Sequence, residues 1–362
     1  MARIAVDARP LSVPTTGIGR YTQAILSRLV DSEHQWYLYS HRPLRDDVHK
    51  LPNVEVRCGD IKSSGLGTIY AQVVFPFWAL RDQIEVYWSP RHHLPLCLAR
   101  KVRKVVTIHD LVWQRCPYTM TRSGLLLERV LTPPTLAAAD AVIAVSNSTR
   151  SEVRESFPQC GSKVETIYEA PFLEPLVEPG PRGDYFLFVG TIEPRKNLAR
   201  ILDAYARYSR VSNQMIPLKI CGGKGWGRME LESVIEEYGF SGQVEILGYV
   251  SDADLPDLYL NARALLIPSL YEGFGLPIVE AFSQGTPVIT SNRGAMEEIA
   301  GDAGLLVDPE NIEDMATAFS LLSDNLALVE QLQLRALARA KLFSWDAAAE
   351  QTLSLMESLL AS

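Results

Sequence analysis

Glu272 and Glu280 stand eight positions apart, on either side of a glycine-containing loop. Pro277 suits a first helical position and Gly285 suits the residue just past a helix end, so this spacing predicts a helix over 277–284. Glu272 then lies in the loop just ahead of the helix, and Glu280 lies one turn inside it. Carboxylates so placed can each accept hydrogen bonds from vicinal hydroxyl groups.

The backbone between the two glutamates should offer hydrogen-bond donors. We expect the N–H groups of Phe274, Gly275 and Leu276 to be available, because a helix start leaves its first donors unpaired. They lie at the positive end of the helix dipole, which favours a phosphate or an electron-rich sugar oxygen. The segment therefore predicts a site for a sugar nucleotide.

A basic pair, Arg195 and Lys196, follows the apolar stretch 185–189. A diphosphate leaving group gains negative charge as a glycosidic bond breaks, so cations on its oxygens lower the barrier. Arginine can bind two oxygens at once, whereas lysine acts as a compact point charge. The helix dipole disfavours a basic pair at a helix start, so we interpret the pair as phosphate contacts. Asn197 is placed to cap the helix that follows.

Polar residues also follow strands in the first half of the chain. His109 and Asp110 end the apolar stretch 105–108, and ligands of open α/β sheets bind at the carboxyl ends of strands. The alternative interpretation is that His109 is a packing residue, as a lone histidine at a strand end often is. Gly17 and Gly19 precede a helix and permit close backbone approach, but the loop is too long for a dinucleotide fingerprint. We assign these glycines to the domain interface, with a plain helix-entry loop as the alternative.

Three further residues are weaker candidates. His92 and His93 follow another strand and could contact an acceptor or a donor, but no carboxylate is near in sequence to suggest a metal site. Lys224 lies in a glycine-rich loop of the second half and is a further phosphate candidate, or part of a flexible turn.

Five blocks, in this order along the chain, resemble the motifs of family 4 retaining glycosyltransferases. They are Gly17–Tyr21, His109–Leu111, Gly190–Asn197, Pro268–Glu280 and Gly301–Pro309. The fourth matches the E-x7-E signature of that family, and the resemblance covers essentially the whole chain. It implies a GT-B fold of the α/β class. In that fold two Rossmann-like domains face each other across a cleft, and a C-terminal helix crosses back to the first domain.

The resemblance also implies roles for individual residues. His109 would hydrogen-bond the donor sugar or an acceptor-side hydroxyl, and Asp110 would orient that histidine or the acceptor. Glu272 would hold the donor sugar's hydroxyls without attacking, and Glu280 would bind the ribose hydroxyls. The catalytic set is His109, Asp110, Arg195, Lys196 and Glu272. The residues expected to bind the nucleotide sugar are Gly17, Gly19, Gly190, Thr191, Arg195, Lys196, Tyr249, Val250, Glu272, Gly273, Phe274, Gly275, Leu276 and Glu280.

The chain departs from the family pattern at Thr191, where many relatives have arginine, and this puts more weight on Arg195 and Lys196. No D-x-D motif stands in a loop where a metal-dependent transferase would place it. The nearest, Asp252-Ala-Asp254, precedes a helix and is interpreted as a capping segment. We therefore expect transfer without a metal ion or other cofactor, the nucleotide sugar being a co-substrate.

Apolar runs alternate with helical patterns throughout, which indicates βα units and parallel sheets. In the second half, strands are predicted near 185–189, 217–221, 244–247, 264–267 and 287–290. A stretch rich in proline and glycine marks the domain boundary. We predict an acceptor-binding domain over 1–172, a linker over 173–183, a donor-binding domain over 184–342 and a crossover helix over 343–362.

The 362 residues are 47% hydrophobic and 22% charged, an ordinary globular composition. No secretory leader is evident, and the five scattered cysteines are typical of a reduced, cytoplasmic protein. Residues 1–180 carry 21 Lys and Arg against 18 Asp and Glu, so the remainder of the 35 and 43 is strongly acidic. This balance gives no indication of nucleic-acid binding.

The apolar run Thr68–Leu80 is too short to span a bilayer. One interpretation is a core helix interrupted by Pro76. The alternative is peripheral contact with an anionic membrane at its inner face, through the aromatic residues of this run and nearby basic residues. The aromatic residues are Tyr70, Phe75, Phe77 and Trp78, and the basic ones are Lys101, Arg103, Lys104, Arg122 and Arg129.

The leading functional hypothesis is transfer of a hexose from a nucleotide diphosphate to a bacterial polysaccharide or an undecaprenyl-diphosphate-linked glycan. The motif set resembles enzymes of O-antigen and exopolysaccharide assembly in lipopolysaccharide biosynthesis, often mannosyl- or rhamnosyltransferases with GDP-sugar donors. GDP-mannose is therefore the favoured donor, with UDP-glucose or UDP-N-acetylglucosamine as the alternative. A nucleotide-sugar epimerase and a non-catalytic sugar-binding relative also stay open.

Overall fold

The computed structural model describes residues 1–13, 17–45, 52–61, 64–176, 183–212, 215–223, 225 and 231–361. Lys224 lies outside these ranges. The chain forms two compact units. The first comprises Met1–Trp113, Met120–Glu169 and Ser344–Ser362, and the second comprises Gln114–Thr119 and Ala170–Phe343. The described parts of the predicted linker therefore belong to the second unit. No helix within the described ranges is both long and apolar enough to cross a bilayer.

A parallel sheet of seven described strands forms the first unit, in the order β3-β2-β1-β4-β5-β6-β7. From β1 to β7 the strands are Arg3–Asp7, Gln35–Ser40, Val54–Cys58, Val86–Ser89, Arg103–Ile108, Ala141–Ala144 and Val164–Thr166. The helices α1 to α5 are Gly17–Leu29, Gly67–Arg81, Val112–Arg115, Arg122–Ala138 and Asn147–Ser156.

The central strands of this sheet are buried on both faces, as parallel strands covered by helices must be. Every residue of β6 is buried, for example. On one face, Phe75 of α2 packs against Tyr39 of β2, with 5.6 Å between ring centroids. Helix α4 contributes Leu136 to the same apolar cluster, so α2 and α4 cover one face of the sheet together.

The last helix, α13 (Trp345–Ala361), returns to the first unit and packs along α1. The buried ring of Trp345 meets the ring of Tyr21 edge-on, with centroids 5.9 Å apart. Arg28 of α1 forms an ion pair with Asp346 at the start of α13. The crossover helix implied by the family resemblance is thus confirmed.

The second unit is also built on a parallel sheet, whose order among the described strands is β10-β9-β8-β11-β12-β13. From β8 to β13 the strands are Tyr185–Val189, Leu218–Cys221, Val244–Gly248, Ala262–Ile267, Val288–Ser291 and Gly304–Val307. The helices α6 to α12 are Leu198–Val211, Leu231–Glu237, Leu255–Leu260, Leu276–Ser283, Gly294–Ala300, Ile312–Asp324 and Leu326–Ala340. Strand β13 adds to the five strands predicted for this half.

Each sheet has a position where the order of strands reverses. In the second unit β8 pairs with both β9 and β11, so the chain leaving β8 turns one way and the chain leaving β11 turns the other. In the first unit β1 occupies the same position between β2 and β4. Such switch points leave a crevice at the carboxyl ends of the strands, and ligands of open α/β sheets bind there.

Candidate active site

The switch point of the second unit brings the basic pair and the first glutamate together. Arg195 and Lys196 follow β8 in a short 3-10 turn, and Glu272 follows β11. The Lys196 Nζ lies 2.6 Å from Oε1 of Glu272, while the Arg195 guanidinium pairs with Oε2 of the same carboxylate. Arg195 also donates to the carbonyl of Tyr271 at 2.8 Å. Arg195 and Glu272, which are 77 positions apart in the sequence, therefore belong to one cluster with Lys196.

The cluster is electrically balanced. A second carboxylate, that of Glu193, lies 2.6 Å from Nη2 of Arg195, so two carboxylates face two cations. Burial alone would raise the pKa of Glu272, but the charges of Arg195 and Lys196 outweigh it and lower that pKa to about 2. The Glu272 carboxylate is therefore ionised at neutral pH and available as a hydrogen-bond acceptor.

Asn197 does not cap α6 through its side chain, which corrects the sequence-based expectation. It stands at the N-cap position but adopts a left-handed backbone conformation with φ of 64°, and its side chain makes no capping hydrogen bond. Its amide instead donates to the carbonyls of Pro268, at 3.0 Å, and Pro309, at 2.6 Å. Asparagine tolerates this conformation better than most residues, and here it ties the basic turn to the segment that carries Glu272.

Glycines allow the strand ends of this unit to approach each other closely. A Cβ on Gly222, after β9, would lie 1.9 Å from the carbonyl oxygen of Gly190, after β8. The N–H of Gly222 donates to Gly248 O at the end of β10, at 2.7 Å. The ends of three adjacent strands thus meet backbone to backbone, which leaves their loops at one edge of the sheet.

Helix α9 begins at Leu276, one residue earlier than predicted, and Gly285 follows its end with a left-handed φ of 64°. Gly275 stands at its N-cap with φ of 107°, a conformation that favours glycine. Glu280 lies inside the helix, 5% exposed, and accepts a hydrogen bond from the Tyr259 hydroxyl at 3.0 Å. The Tyr259 hydroxyl therefore holds the Glu280 carboxylate in one orientation.

The other residues predicted in this unit fall on the same loops. Thr191 follows Gly190 and is exposed, and Tyr249 and Val250 follow β10, with 79% of Tyr249 exposed. Gly273 and Phe274 are buried in the loop between Glu272 and α9. The structure therefore gathers the donor-side candidates of the second unit around the carboxyl ends of β8, β10 and β11.

In the first unit, His109 follows β5 and both of its ring nitrogens have protein partners. Nδ1 lies 2.9 Å from Oε1 of Glu169, and Nε2 lies 2.9 Å from the carbonyl oxygen of Pro90. Because a carbonyl only accepts, Nε2 donates there, and Nδ1 faces the carboxylate of Glu169. A sugar hydroxyl could reach a ring nitrogen only by replacing one of these partners. The role of His109 on the sugar stays a prediction.

Asp110 accepts from the backbone N–H of Val112 at 3.1 Å and so shapes the loop after β5. Gly17 and Gly19 lie in the first turn of α1, and the ring of Tyr21 in the same helix meets the His109 ring edge-on at 4.8 Å. The first-unit candidates therefore lie near one another, at the start of α1 and the end of β5.

His92 and His93 share a carboxylate from elsewhere in the chain. Oε2 of Glu128 lies 3.4 Å from Nδ1 of His92 and 3.2 Å from Nε2 of His93. Nε2 of His92 accepts from the backbone N–H of His109 at 3.1 Å, so Nδ1 carries the proton. These histidines hold the loops after β4 and β5 together.

Sequence reasoning missed the carboxylate partners Glu128, Glu169 and Glu193. Glu193 stands within a motif block, and Glu169 follows β7, so strand-end position was an available signal for both. Glu128 lies in α4 and carried no such signal. Asp254 does stand at the start of α8, but its side chain makes no capping hydrogen bond and accepts instead from the Ser251 hydroxyl at 2.6 Å. Within the described residues, no group of three or more His, Cys, Asp or Glu is arranged to hold a metal ion.

Comparisons with known proteins agree with this architecture. Residues 15–170 match the model "Glycosyltransferase Family 4", and residues 178–338 match "Glycosyl transferases group 1". The chain is 32% identical to O-antigen chain mannosyltransferase B of Escherichia coli, over 97% of this chain and 98% of that protein. It is 26% identical to O-antigen chain mannosyltransferase RfbU of Salmonella typhimurium, over 70% of this chain and 74% of that protein.

Solved structures show the same fold at lower identity. Sucrose-phosphate synthase from Thermosynechococcus elongatus superposes with a TM-score of 0.78 at 20% identity, covering 100% of both chains. Anabaena HepE in complex with UDP and glucose gives a TM-score of 0.74 at 19% identity, covering 99% of this chain and 100% of that one.

Two Rossmann-like units, each with a parallel sheet, and the sites at their strand ends define a GT-B glycosyltransferase. More particularly, the chain belongs to the family 4 glycosyltransferases, and it is a hexosyltransferase.

Replacing Gly222 by alanine should destabilise the second unit by about 1–3 kcal/mol, because the new methyl group meets the Gly190 carbonyl and the backbone must shift. Gly223→Ala is the matched control, since no described atom lies within 4 Å of a Cβ there. Denaturant unfolding measures both. Equal midpoints for the two variants would contradict the close approach of the strand ends.

The pH dependence of unfolding should report the pairing of Glu272. Its folded pKa of about 2 lies below the ordinary 4.5, so the ion cluster stabilises the protein fully above about pH 4.5 and loses that contribution as pH falls towards 2. Glu272→Gln should therefore be less stable than wild type at about pH 7, with the difference shrinking at about pH 3. Urea midpoints at both pH values test this, and a difference independent of pH would rule it out.

Proposed function

We propose that the protein is a retaining mannosyltransferase that uses GDP-mannose to extend a bacterial polysaccharide or lipid-linked glycan of the O-antigen type. One observation carries the proposal. The Arg195–Lys196–Glu272 cluster stands at the sheet switch point of a chain whose near-full-length relative is an O-antigen mannosyltransferase. The choice of mannose, and of GDP as its carrier, follows from the names of the relatives.

Lys196 is the principal contact for the donor diphosphate in this proposal. Its Nζ has three N–H donors, and among described residues Glu272 alone lies within ion-pairing distance of it. Arg195 has less to offer, because Glu193, Glu272 and the Tyr271 carbonyl already accept from its guanidinium. Arg195 therefore holds the loop that carries Glu272, and the diphosphate binds mainly to Lys196.

Glu272 would turn from the cations towards the donor sugar when the diphosphate arrives. The phosphate oxygens then neutralise Lys196, and the ionised carboxylate accepts hydrogen bonds from sugar hydroxyls. Glu280, oriented by Tyr259, would accept from the ribose hydroxyls. The two carboxylates thereby recognise different parts of one nucleotide sugar.

Transfer would proceed on one face of the sugar. The bond from the anomeric carbon to the phosphate oxygen breaks, the acceptor oxygen bonds to that carbon from the same side, and the acceptor proton passes to the departing phosphate. The configuration is retained without a covalent intermediate. Lys196 provides the main cationic stabilisation of the leaving phosphate, with Arg195 holding the Glu272 loop beside it, so the reaction is proposed to need no metal ion.

The first unit would rest on the membrane beside a lipid-linked acceptor. One face of α2 exposes Ile69, Val73, Phe77 and Leu80, each about 60% accessible or more, while Phe75 on the opposite face is fully buried. The helix continues through Pro76, so the predicted interruption is wrong, while its buried face agrees with the core interpretation. The exposed face is the part proposed to contact lipid. Helix α4, on the same side of the sheet, exposes Leu126 and Val130 together with the basic residues Arg122 and Arg129. Apolar insertion and attraction to anionic lipid would act together.

A transfer assay with the purified chain tests the proposal. GDP-mannose, GDP-rhamnose, UDP-glucose and UDP-N-acetylglucosamine are each offered with and without a glycan acceptor, and the product's anomeric configuration is read by NMR. Acceptor-dependent release of GDP in the presence of EDTA, with retention, is expected. Turnover only with a UDP-sugar would overturn the donor assignment, and turnover without acceptor would favour an epimerase.

Lys196→Ala should lower kcat by about a hundred- to a thousand-fold, as removal of one stabilising donor does at other developing anions. Lys341→Ala, at an exposed lysine of the same unit, is the control and should leave kcat unchanged. Steady-state kinetics with saturating donor distinguish the variants. Wild-type turnover in Lys196→Ala would show that this lysine does not stabilise the leaving phosphate.

Phe77→Glu should weaken binding to vesicles that contain anionic lipid, because a charge then replaces an exposed ring on the α2 face. Val211→Glu, at a residue of α6 that is 72% exposed, is the matched control. Flotation with anionic and neutral vesicles is measured at low and high salt, and wild-type binding should weaken as salt rises. Absence of wild-type binding to anionic vesicles at low salt would exclude membrane contact.

A further inference from the structure

The switch point of the first unit holds a second cluster of charged and polar groups. Asp7 ends β1 and Arg9 comes shortly after it, while Arg91 follows β4 and His41 follows β2. A cavity of about 260 Å³ opens between them. Its lining includes Arg9, His41, Gly67 and Arg91. The cavity is therefore at the place in this sheet where a ligand is expected.

One carboxylate faces two guanidinium groups here. Asp7 is fully buried and already committed to Arg9, with 2.6 Å between Oδ2 and Nη2 and 2.8 Å between Oδ1 and Nε. Arg9 also donates to the carbonyl of Gly67 at 2.9 Å. The Arg91 guanidinium has no hydrogen-bond or ion-pair partner among the described residues, and its Nε is closed off from solvent. Burial and the charge of Arg9 lower the pKa of Arg91, and they outweigh the opposite effect of the Asp7 and Glu128 carboxylates.

Unpaired polar atoms occur in the lining of this cavity and behind it. His41 is 4% exposed, and within the described chain neither of its ring nitrogens has a hydrogen-bond partner. The buried hydroxyl of Tyr87, on β4 and within the electrostatic reach of Asp7, Arg9 and Arg91, also lacks one among these residues. Buried polar atoms in proteins are nearly always hydrogen-bonded, so the unpaired His41 ring and Arg91 Nε at this cavity point to a ligand that carries hydrogen-bond acceptors.

We propose that this cavity binds a phosphate group, with Arg91 as its main cation and His41 as a hydrogen-bond donor. The donors come from the ends of separate strands, and a tetrahedral phosphate can accept from several directions, whereas a carboxylate accepts in one plane. The cavity is smaller than the roughly 300–1,000 Å³ of ordinary small-molecule sites, so it suits one charged group and not a whole nucleotide.

The phosphate could be carried on the acceptor or be a free anion. If it is carried on a lipid-linked acceptor, the inference rests on the proposed function and gives the first unit its acceptor-recognition residues. If it is a free anion, the site is one for inorganic phosphate, whatever sugar is transferred. Both sources share the tetrahedral oxyanion that Arg91 recognises.

Binding of two probes, inorganic phosphate and a water-soluble short-chain prenyl diphosphate, tests the site in the full-length protein. Calorimetry is run with saturating GDP, which occupies the donor site of the second unit. Arg91→Met should weaken the tighter probe at least tenfold, and Arg100→Met, which removes an exposed charge from the same unit, should change it less than twofold. Tighter binding of the prenyl diphosphate identifies the acceptor as the source, and tighter binding of inorganic phosphate identifies a free anion.

Thermal unfolding provides a second readout. In phosphate-free buffer Arg91→Met should melt at or above the wild-type temperature, because it removes a cation that has no partner. Phosphate should raise the melting temperature of wild type and not of the variant. His41→Leu repeats the test should Arg91→Met fail to fold. Equal probe binding in wild type and variants overturns the phosphate site, while unchanged GDP affinity and mannosyl transfer would leave the proposed function standing. If mannosyl transfer is absent but probe binding depends on Arg91, the phosphate site stands and the proposed function is overturned.

Discussion

The carboxylate of Glu272 is shared between two cations that follow a different strand, and the donor-side geometry of the second unit depends on this sharing. Without it, Arg195 and Lys196 would repel each other in a poorly solvated turn, and the loop leading to α9 would lose its anchor. The favourable interaction outweighs burial, which is why the carboxylate stays ionised. An ionised acceptor next to a lysine with unused donors suits a ligand that has both hydroxyl groups and phosphate.

The parallel sheet makes that sharing possible. Because β8 lies between β9 and β11, the loops after β8 and β11 diverge and leave a crevice at their carboxyl ends. Gly190 and Gly222 let the adjoining strand ends come together, and the Asn197 amide ties the basic turn to the carbonyls of Pro268 and Pro309. The functional side chains thus stand on a rigid backbone frame whose contacts only glycine and a left-handed asparagine allow.

The two units use equivalent positions in opposite electrostatic ways. In the second unit two carboxylates balance two cations, so an incoming diphosphate must exchange partners with Glu272. In the first unit the Asp7 carboxylate forms its ion pair with Arg9, and the Arg91 guanidinium has no hydrogen-bond partner among the described residues. A balanced cluster suits a substrate that arrives and leaves in each cycle, whereas a positive cavity with unpaired donors suits an anion that completes the structure when it binds. The proposed donor and phosphate sites follow from this contrast.

The sequence by itself determined the fold class, the family and the loops that carry the donor site. Glycine and proline around α9 mark its ends within a residue, and the basic block follows β8, so spacing and the family resemblance together placed Glu272, Arg195 and Lys196 on loops that the structure brings together. These signals are local, because helix ends and strand ends depend on neighbouring residues. Strand β13 escaped prediction because its four residues form too short an apolar run to be distinguished from a loop.

Only the tertiary structure decided which partners these residues have. Asn197 looks like a helix cap, but carbonyls at Pro268 and Pro309 take its amide, and His109 has its ring held by Glu169 and Pro90. The apolar run of α2 became a helix with one buried face and one exposed face, and Arg91 was left without the carboxylate that Arg9 obtained. Each outcome depends on residues distant in sequence. Hydrogen bonds and ion pairs form between atoms that the fold brings within about 3 Å, and spacing along a chain does not encode those distances.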